Sequence, residues 1–252
     1  MNENDTRMPH YAQVAETLRR RIVTDEYTEG SLIPSVEGLE KEFGVSNITI
    51  RKALEMLTRD GMLLRKRGVG TLVQKCERDL VVFELSGSFE RLVKSVENLP
   101  LELEVLDMAV VPSPPHVQHV MSMGLNQEVL RIKKVRKHRG SPLSFYVHYA
   151  DPVLGSTITK EKAEAKHFVH VFEEASHVKV VSLDQRLESV IADIDLSKIL
   201  EIRFGSPLIF VENVYCADQH KPVILTQNYY RGDKCSYKSS AKLYASSETS
   251  GD

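Results

Sequence analysis

The 252-residue sequence has no run of 18 or more apolar residues, so nothing in it is expected to span a membrane as a helix. Met1 to Pro9 is polar and lacks the apolar centre of a secretion signal, which leads us to expect a cytoplasmic protein. There are only three cysteines, Cys76, Cys216 and Cys235, widely spaced and without a CxxC pair. They read as reduced thiols, and they exclude a disulfide framework and a cysteine zinc site. The chain also lacks a GxSxG, a HExxH, a P-loop and any motif that would place two carboxylates together. Nothing therefore points to catalysis, and no cofactor or metal is expected. The formal net charge of −2 argues against indiscriminate binding to nucleic acid.

What is present is an uneven distribution of charge. Between Gly44 and Lys75 the basic residues are Arg51, Lys52, Arg59, Arg65, Lys66, Arg67 and Lys75, and the acidic ones are Glu55 and Asp60. A cationic stretch inside a slightly negative chain is what a phosphate-contacting surface requires, although a solvated helix face has the same composition. The 42% hydrophobic content suffices for real cores, and the length suits two modest domains or one large one.

Three helices and a hairpin are predicted in the first 75 residues. Tyr11, Val14, Ala15, Leu18 and Ile22 recur at helical spacing from Tyr11 to Thr24, after Pro9. Glu29-Gly30-Ser31 reads as a turn. Ser35 is a candidate N-cap for a short helix through Phe43, with Gly44 as its stop. Ser46 is the expected cap of a longer helix whose buried stripe is Ile50, Ala53, Leu54 and Leu57. Helix, glycine turn, helix at this scale is the helix-turn-helix pattern, and it leaves Asn47, Ile48, Thr49, Arg51 and Lys52 on the outward N-terminal side of the second helix. Two short strands around Gly68-Val69-Gly70, carrying Arg65, Lys66 and Arg67, then form a wing suited to a DNA backbone or minor groove. A GxGxxG nucleotide loop is excluded, because the third glycine and the following helix are missing.

This stretch resembles the DNA-binding domain of the GntR family, through Pro9-His10-Tyr11, Ile33-Pro34-Ser35, Phe43-Gly44-Val45-Ser46, Thr49 to Leu54, Leu57, Asp60-Gly61 and Arg67 to Val73. The resemblance implies DNA contacts from Ser35, Ser46, Asn47, Ile48, Thr49, Arg51, Lys52, Arg65, Arg67, Gly68, Gly70 and Thr71. Two positions depart from the family. Val36-Glu37 stands where Glu-Arg is usual, and Asn47 stands where a second arginine is usual. Each lost bidentate guanine contact removes roughly 1–3 kcal/mol of discrimination. Asn47 can read adenine and Ile48 can touch a thymine methyl, so an operator richer in A/T than the family's usual site is expected.

Gln74 to Leu80 is polar, without hydrophobic period, and reads as a linker. Beyond it the chain repeats itself. Val129 to Arg136 and Pro142 to Tyr149 read as a hairpin; Leu208 to Tyr215 and Pro222 to Tyr230 read as a second, offset by 79 to 80 residues. A short helical piece precedes each, Pro115 to Met123 and Asp195 to Arg203. A third helix, Lys160 to Ala175 behind a Thr159 cap, is expected between them. Two similar halves around an antiparallel sheet make one α+β domain.

This half resembles the HutC-type effector domain (UTRA), with a chorismate lyase-like fold, through the blocks RIKKVR…GSPLSFYVHYADP and YYRGD. The expected layout is a winged helix-turn-helix over residues 1–75, a linker over 76–80, the effector domain over 81–245 and a disordered tail over 246–252. Strand alternation places Leu130, Ile132, Lys134 and Arg136 on one face. Two cations there read either as charges guarding a sheet edge or as an anion clamp. The resemblance implies the clamp, with Ser88, Lys134 and Arg136 holding the anion and Tyr146, His170, Phe172, Ile224 and Tyr230 around its body. Isoleucine cannot accept bonds from vicinal hydroxyls as a carboxylate does, so a small anion on a more apolar or aromatic body is expected. His167 and His170, like His116 and His119, are three apart, but nothing in the sequence completes a metal set.

The resulting expectation is a transcription regulator, a repressor by resemblance, acting as a homodimer on double-stranded operator DNA under control of a small anionic effector. The alternatives are a lyase-like enzyme and an orphan regulator without effector.

Overall fold

The computed structural model describes residues 8–74, 80–84 and 101–240. The chain divides into two compact units, Met1–Arg78 and Asp79–Asp252.

In the first unit, α1 (His10–Val23), α2 (Val36–Phe43) and α3 (Asn47–Arg59) precede a hairpin of β1 (Leu63–Lys66) and β2 (Gly70–Val73). Val14, Ala15, Leu18 and Ile22 of α1 meet the stripe Ile50, Ala53, Leu54 and Leu57 of α3 in one core. Tyr11 is a correction: it is 36% exposed, and its ring lies under Lys52 Nζ at 5.8 Å instead of joining that core. Ser35 caps α2 by accepting from Gly38 N, and Gly44 ends it in the left-handed region at φ 64°. Ser46 holds the N-cap position of α3 without capping it; its hydroxyl bonds Thr49 Oγ1 at 3.0 Å. Leu32 bridges to Leu72, adding a third short strand beside the wing. Gly70 sits at φ 128°, a region that L side chains rarely adopt, and a Cβ there would also lie 2.9 Å from Leu32 Cδ2 and displace that side chain.

The second unit is built on a six-stranded antiparallel sheet. Its strands are β4 (Leu101–Pro112), β5 (Glu128–His138), β6 (Ser141–Ala150), β7 (Ser182–Ile191), β8 (Pro207–Ala217) and β9 (Lys221–Arg231), in the spatial order β4-β5-β6-β9-β8-β7. The internal repeat explains that order. Each half is a strand, a short helix and a hairpin: β4, α4 (Pro115–Val120), β5, β6, then β7, α7 (Ile194–Ile199), β8, β9. The halves join where β6 pairs with β9, with Tyr146 opposite Asn228 and His148 opposite Thr226. Both predicted hairpins are present, and both helices that precede them are shorter than expected.

Alternation along these strands gives the sheet two faces. One carries Val129, Phe145, Val147, Leu208 and Leu225 against Val117 of α4 and Leu196 of α7. On this face Glu212 is buried yet satisfied by His116 (2.6 Å), Arg186 (3.0 Å) and Gln227 (3.2 Å). The other face carries Leu130, Ile132 and Ile224 against α5 (Lys160–Ala165) and α6 (Phe168–Ser176). A two-stranded parallel sheet of β3 (Val81–Glu84) and β10 (Cys235–Lys238) packs there too, through Phe83 and Cys235.

The single helix expected from Lys160 to Ala175 is two helices. Thr159 does cap the first, accepting from Lys162 N, but the backbone is extended at Lys166 and His167. In an unbroken helix Phe168 and Phe172 would sit about 140° and 180° round from Ala163. All three are fully buried against the sheet, and the break resets the helical phase so that they can be.

Candidate functional site

On the first unit, α3 and the wing present one cationic surface. Arg51, Lys52, Arg65 and Arg67 are exposed, as are Ser35, Ser46, Gly68 and Gly70; Asn47, Thr49 and Thr71 are half-buried. Ile48 is 68% exposed on the same helix. Gly68, at φ 78°, makes the wing tip. Asn47 is not a free side chain. Its Nδ2 donates to Glu40 Oε2 at 3.1 Å, and its Oδ1 accepts from Arg51 Nε at 2.5 Å. Glu37 sits close enough to Arg51 to feel its charge. Its carboxyl is held below the usual range by a backbone hydrogen bond, by Ser35 and by that arginine.

On the second unit, the face under α5 and α6 contains a cavity of about 630 Å³, its mouth included. Strand β5 contributes Lys134 and Arg136, only 2% and 9% exposed. Neither guards an edge, since β4 and β7 are the edge strands. Lys134 Nζ donates to Ala163 O at 3.0 Å, meeting a carbonyl that the end of α5 leaves unpaired, and lies 5.6 Å over the Phe168 ring. The Arg136 guanidinium stands 5.0 Å over the Tyr146 ring. Arg136 Nε, His148 Nε2 and Asn228 Oδ1 are buried without a hydrogen-bond partner among the described residues. An unpaired buried polar atom costs about 1–3 kcal/mol, so three around one cavity mark where a guest's polar atoms belong.

The electrostatics point the same way. Among the described residues no carboxylate lines the cavity. Burial, with Arg136 beside it, lowers the Lys134 pKa to about 7; Glu164, outside the lining, opposes this. Burial and the same two cations push His167 down to about 3 and His148 well below its usual value. Burial raises the hydroxyls of Tyr215, Tyr230 and Tyr237, which stay protonated as donors. The described lining is positive or neutral, which favours an anion over a cation.

Of the effector residues expected from sequence, Lys134, Arg136, Tyr146 and Tyr230 line this cavity. His170, Phe172 and Ile224 do not. Phe172 and Ile224 are fully buried in the core beneath it, and the His170 side chain is 40% exposed beside Glu173. The helix break explains the first two helix positions, because it turns His167 and Phe168 to the cavity in their place. Ser88 lies outside the described residues. The lining also includes His148, Gln185, Asn213, Tyr215, Thr226 and Asn228, none of them expected. The repeat held the signal: Asn213 is Lys134 shifted by 79, and Thr226 and Asn228 are Tyr146 and His148 shifted by 80.

Comparison with known proteins matches the two units separately. Residues 10–73 match the model of bacterial regulatory proteins of the gntR family, and residues 97–236 match the UTRA domain. The mannosyl-D-glycerate transport/metabolism system repressor MngR of Escherichia coli (strain K12) is 26% identical over 201 residues, 80% of this chain and 82% of that protein. The HTH-type transcriptional repressor NagR of Bacillus subtilis (strain 168) is 24% identical over 230 residues, 91% and 93%. The crystal structure of PhnF from Mycobacterium smegmatis superposes with a TM-score of 0.56 at 18% identity, covering 92% of this chain and all of that one, a likeness of fold. Winged helix-turn-helix, antiparallel-sheet effector domain and both family matches agree: the chain belongs to the GntR family of transcription regulators, in the group that carries a UTRA effector-binding domain.

Proposed function

We propose that the protein is a cytoplasmic, homodimeric repressor whose hold on operator DNA is set by a small anion bound at Lys134 and Arg136. Among the described residues no helix is long and apolar enough to cross a membrane. Two reading heads suit a pseudo-palindromic operator, and a dimer supplies them. Arg51, Lys52 and the wing residues Arg65 and Arg67 carry the phosphate and base contacts, with Ser35, Ser46, Ile48, Thr49 and Thr71 alongside. Relatives named as repressors support the direction of control.

The observation that carries the effector reading is the pair of buried cations in a cavity with no acidic lining among the described residues. A buried lysine and arginine side by side cost free energy, and an anion between them offsets it. Induction then requires that the anion bind the DNA-competent and DNA-incompetent states with different affinity.

Fluorescence anisotropy of the full chain on the DNA upstream of its own coding region, with candidate phosphates and carboxylates added, tests this. Binding should weaken steeply with salt and be released by an anion. Lys134→Ala should keep DNA binding and lose the response. Salt-insensitive binding, or release that survives Lys134→Ala, would overturn it.

A further inference from the structure

The cavity straddles the seam between the two repeats, and the repeats line it with matched positions of different chemistry. Lys134 and Tyr146 face one another across the first hairpin as Asn213 and Thr226 do across the second. At the seam, Tyr146 opposite Asn228 is mirrored by Thr226 opposite His148. The first half thus supplies cations and a histidine, and the second supplies uncharged amides and a hydroxyl.

We infer that the effector is a two-ended molecule, with its anionic group against Lys134 and Arg136 and, at the other end, a neutral donor-bearing group such as an amide or hydroxyl against Asn213, Thr226 and Asn228. The inference rests on the anion reading above and adds the chemistry of the far end. Asn228 is 2% exposed, and its Oδ1 has no donor among the described residues. The Asn213 Oδ1, by contrast, already accepts from Gln185 Nε2 at 2.9 Å, which fixes the amide beside it. An open acceptor on one half and an open donor, Arg136 Nε, on the other give the guest its polarity. Lys134 and Asn228 sit two strand spacings apart across β5, β6 and β9, roughly 10 Å at the backbone, so a small molecule reaches both. An ammonium at the far end meets no carboxylate among the described residues and is rejected.

Calorimetric titration of the full chain with matched phosphomonoesters tests the far end. N-acetylaminoethyl phosphate should bind about ten-fold or more tightly than pentyl phosphate, and aminoethyl phosphate no more tightly than pentyl phosphate. Asn228→Leu, similar in volume, should reduce the amide's advantage over pentyl phosphate to under about two-fold. Asn228→Asp should reverse the order in favour of the aminoethyl ester, a gain that a misfolded variant cannot produce. If only carboxylates bind, the same advantage should separate N-acetyl-β-alanine from hexanoate. Equal affinity for the amide and alkyl partners in the unaltered chain would overturn the two-ended guest alone. Failure of every phosphate and carboxylate to bind would overturn the anion reading with it.

Discussion

Arg51 Nε donates to Asn47 Oδ1 at 2.5 Å, one turn apart on the helix that carries the DNA-facing residues. With Glu40 holding the other side of the same amide, Asn47 is a brace for the arginine rather than an open adenine reader. We therefore expect Arg51, held in place by Asn47, to meet a guanine edge. Asn47→Ala should weaken operator binding by roughly five-fold, about one hydrogen bond's worth, with the loss concentrated at one guanine position. Site selection on both proteins checks it; a loss confined to an adenine position would restore the direct-reading role.

The wing should behave differently. Arg65 and Arg67 are exposed at the strand and tip. Arg67→Ala should weaken binding to all sequences alike and reduce the slope of log affinity against log salt by about 1. Binding measured at several salt concentrations, on specific and scrambled duplexes, separates this from a base contact.

Gly70 carries two demands at once, φ 128° and a 2.9 Å approach to Leu32 Cδ2, whereas Gly68 has only its φ of 78° and open space around it. Gly70→Ala should cost roughly 1–3 kcal/mol, and Gly68→Ala about 1 kcal/mol. Denaturant unfolding of the two variants gives the order, and the reverse order would contradict the packing described.

Lys134 links stability, pH and binding. Its folded pKa of about 7 lies below the ordinary 10.5. Between those values the unfolded chain holds a proton that the folded chain does not, so stability rises with pH across that window and is lowest below it. Lys134→Met should therefore stabilise the protein by a few kcal/mol at about pH 7 and by less at about pH 9.5. It should abolish anion binding at the same time. Anion binding to the unaltered chain should take up a proton above pH 7 and weaken as pH rises. Thermal unfolding at the two pH values and calorimetry in buffers of different ionisation enthalpy test both signs.

Much of this architecture was legible in the residues. Ser35 and Gly44 bracket α2 through local chemistry, and the stripe from Ile50 to Leu57 needs only helical period. The repeat announced both hairpins and the partition of the sheet. What sequence reading missed depends on partners distant in the chain or on phase. Tyr11 lies beneath Lys52, a partner far along the chain, and even locally Ser46 bonds the Thr49 hydroxyl rather than a helix N–H. The break at Lys166 was concealed by a composition that suits a helix on either side, although the mismatch between Ala163 and Phe168 was visible. The cavity's second half was missed because Asn213, Thr226 and Asn228 gain meaning only once they are paired with their counterparts in the first repeat.

The polar groups at Lys134, Arg136, Asn213, Thr226 and Asn228 stand on three interior strands at that cavity, each hydrogen-bonded on both sides. Side chains mounted there are already immobilised before any guest arrives, so little ordering entropy is left for binding to overcome. Such a receptor discriminates by the fixed spacing of its groups, and a guest of the right chemistry but the wrong length has no flexible floor to compensate for it.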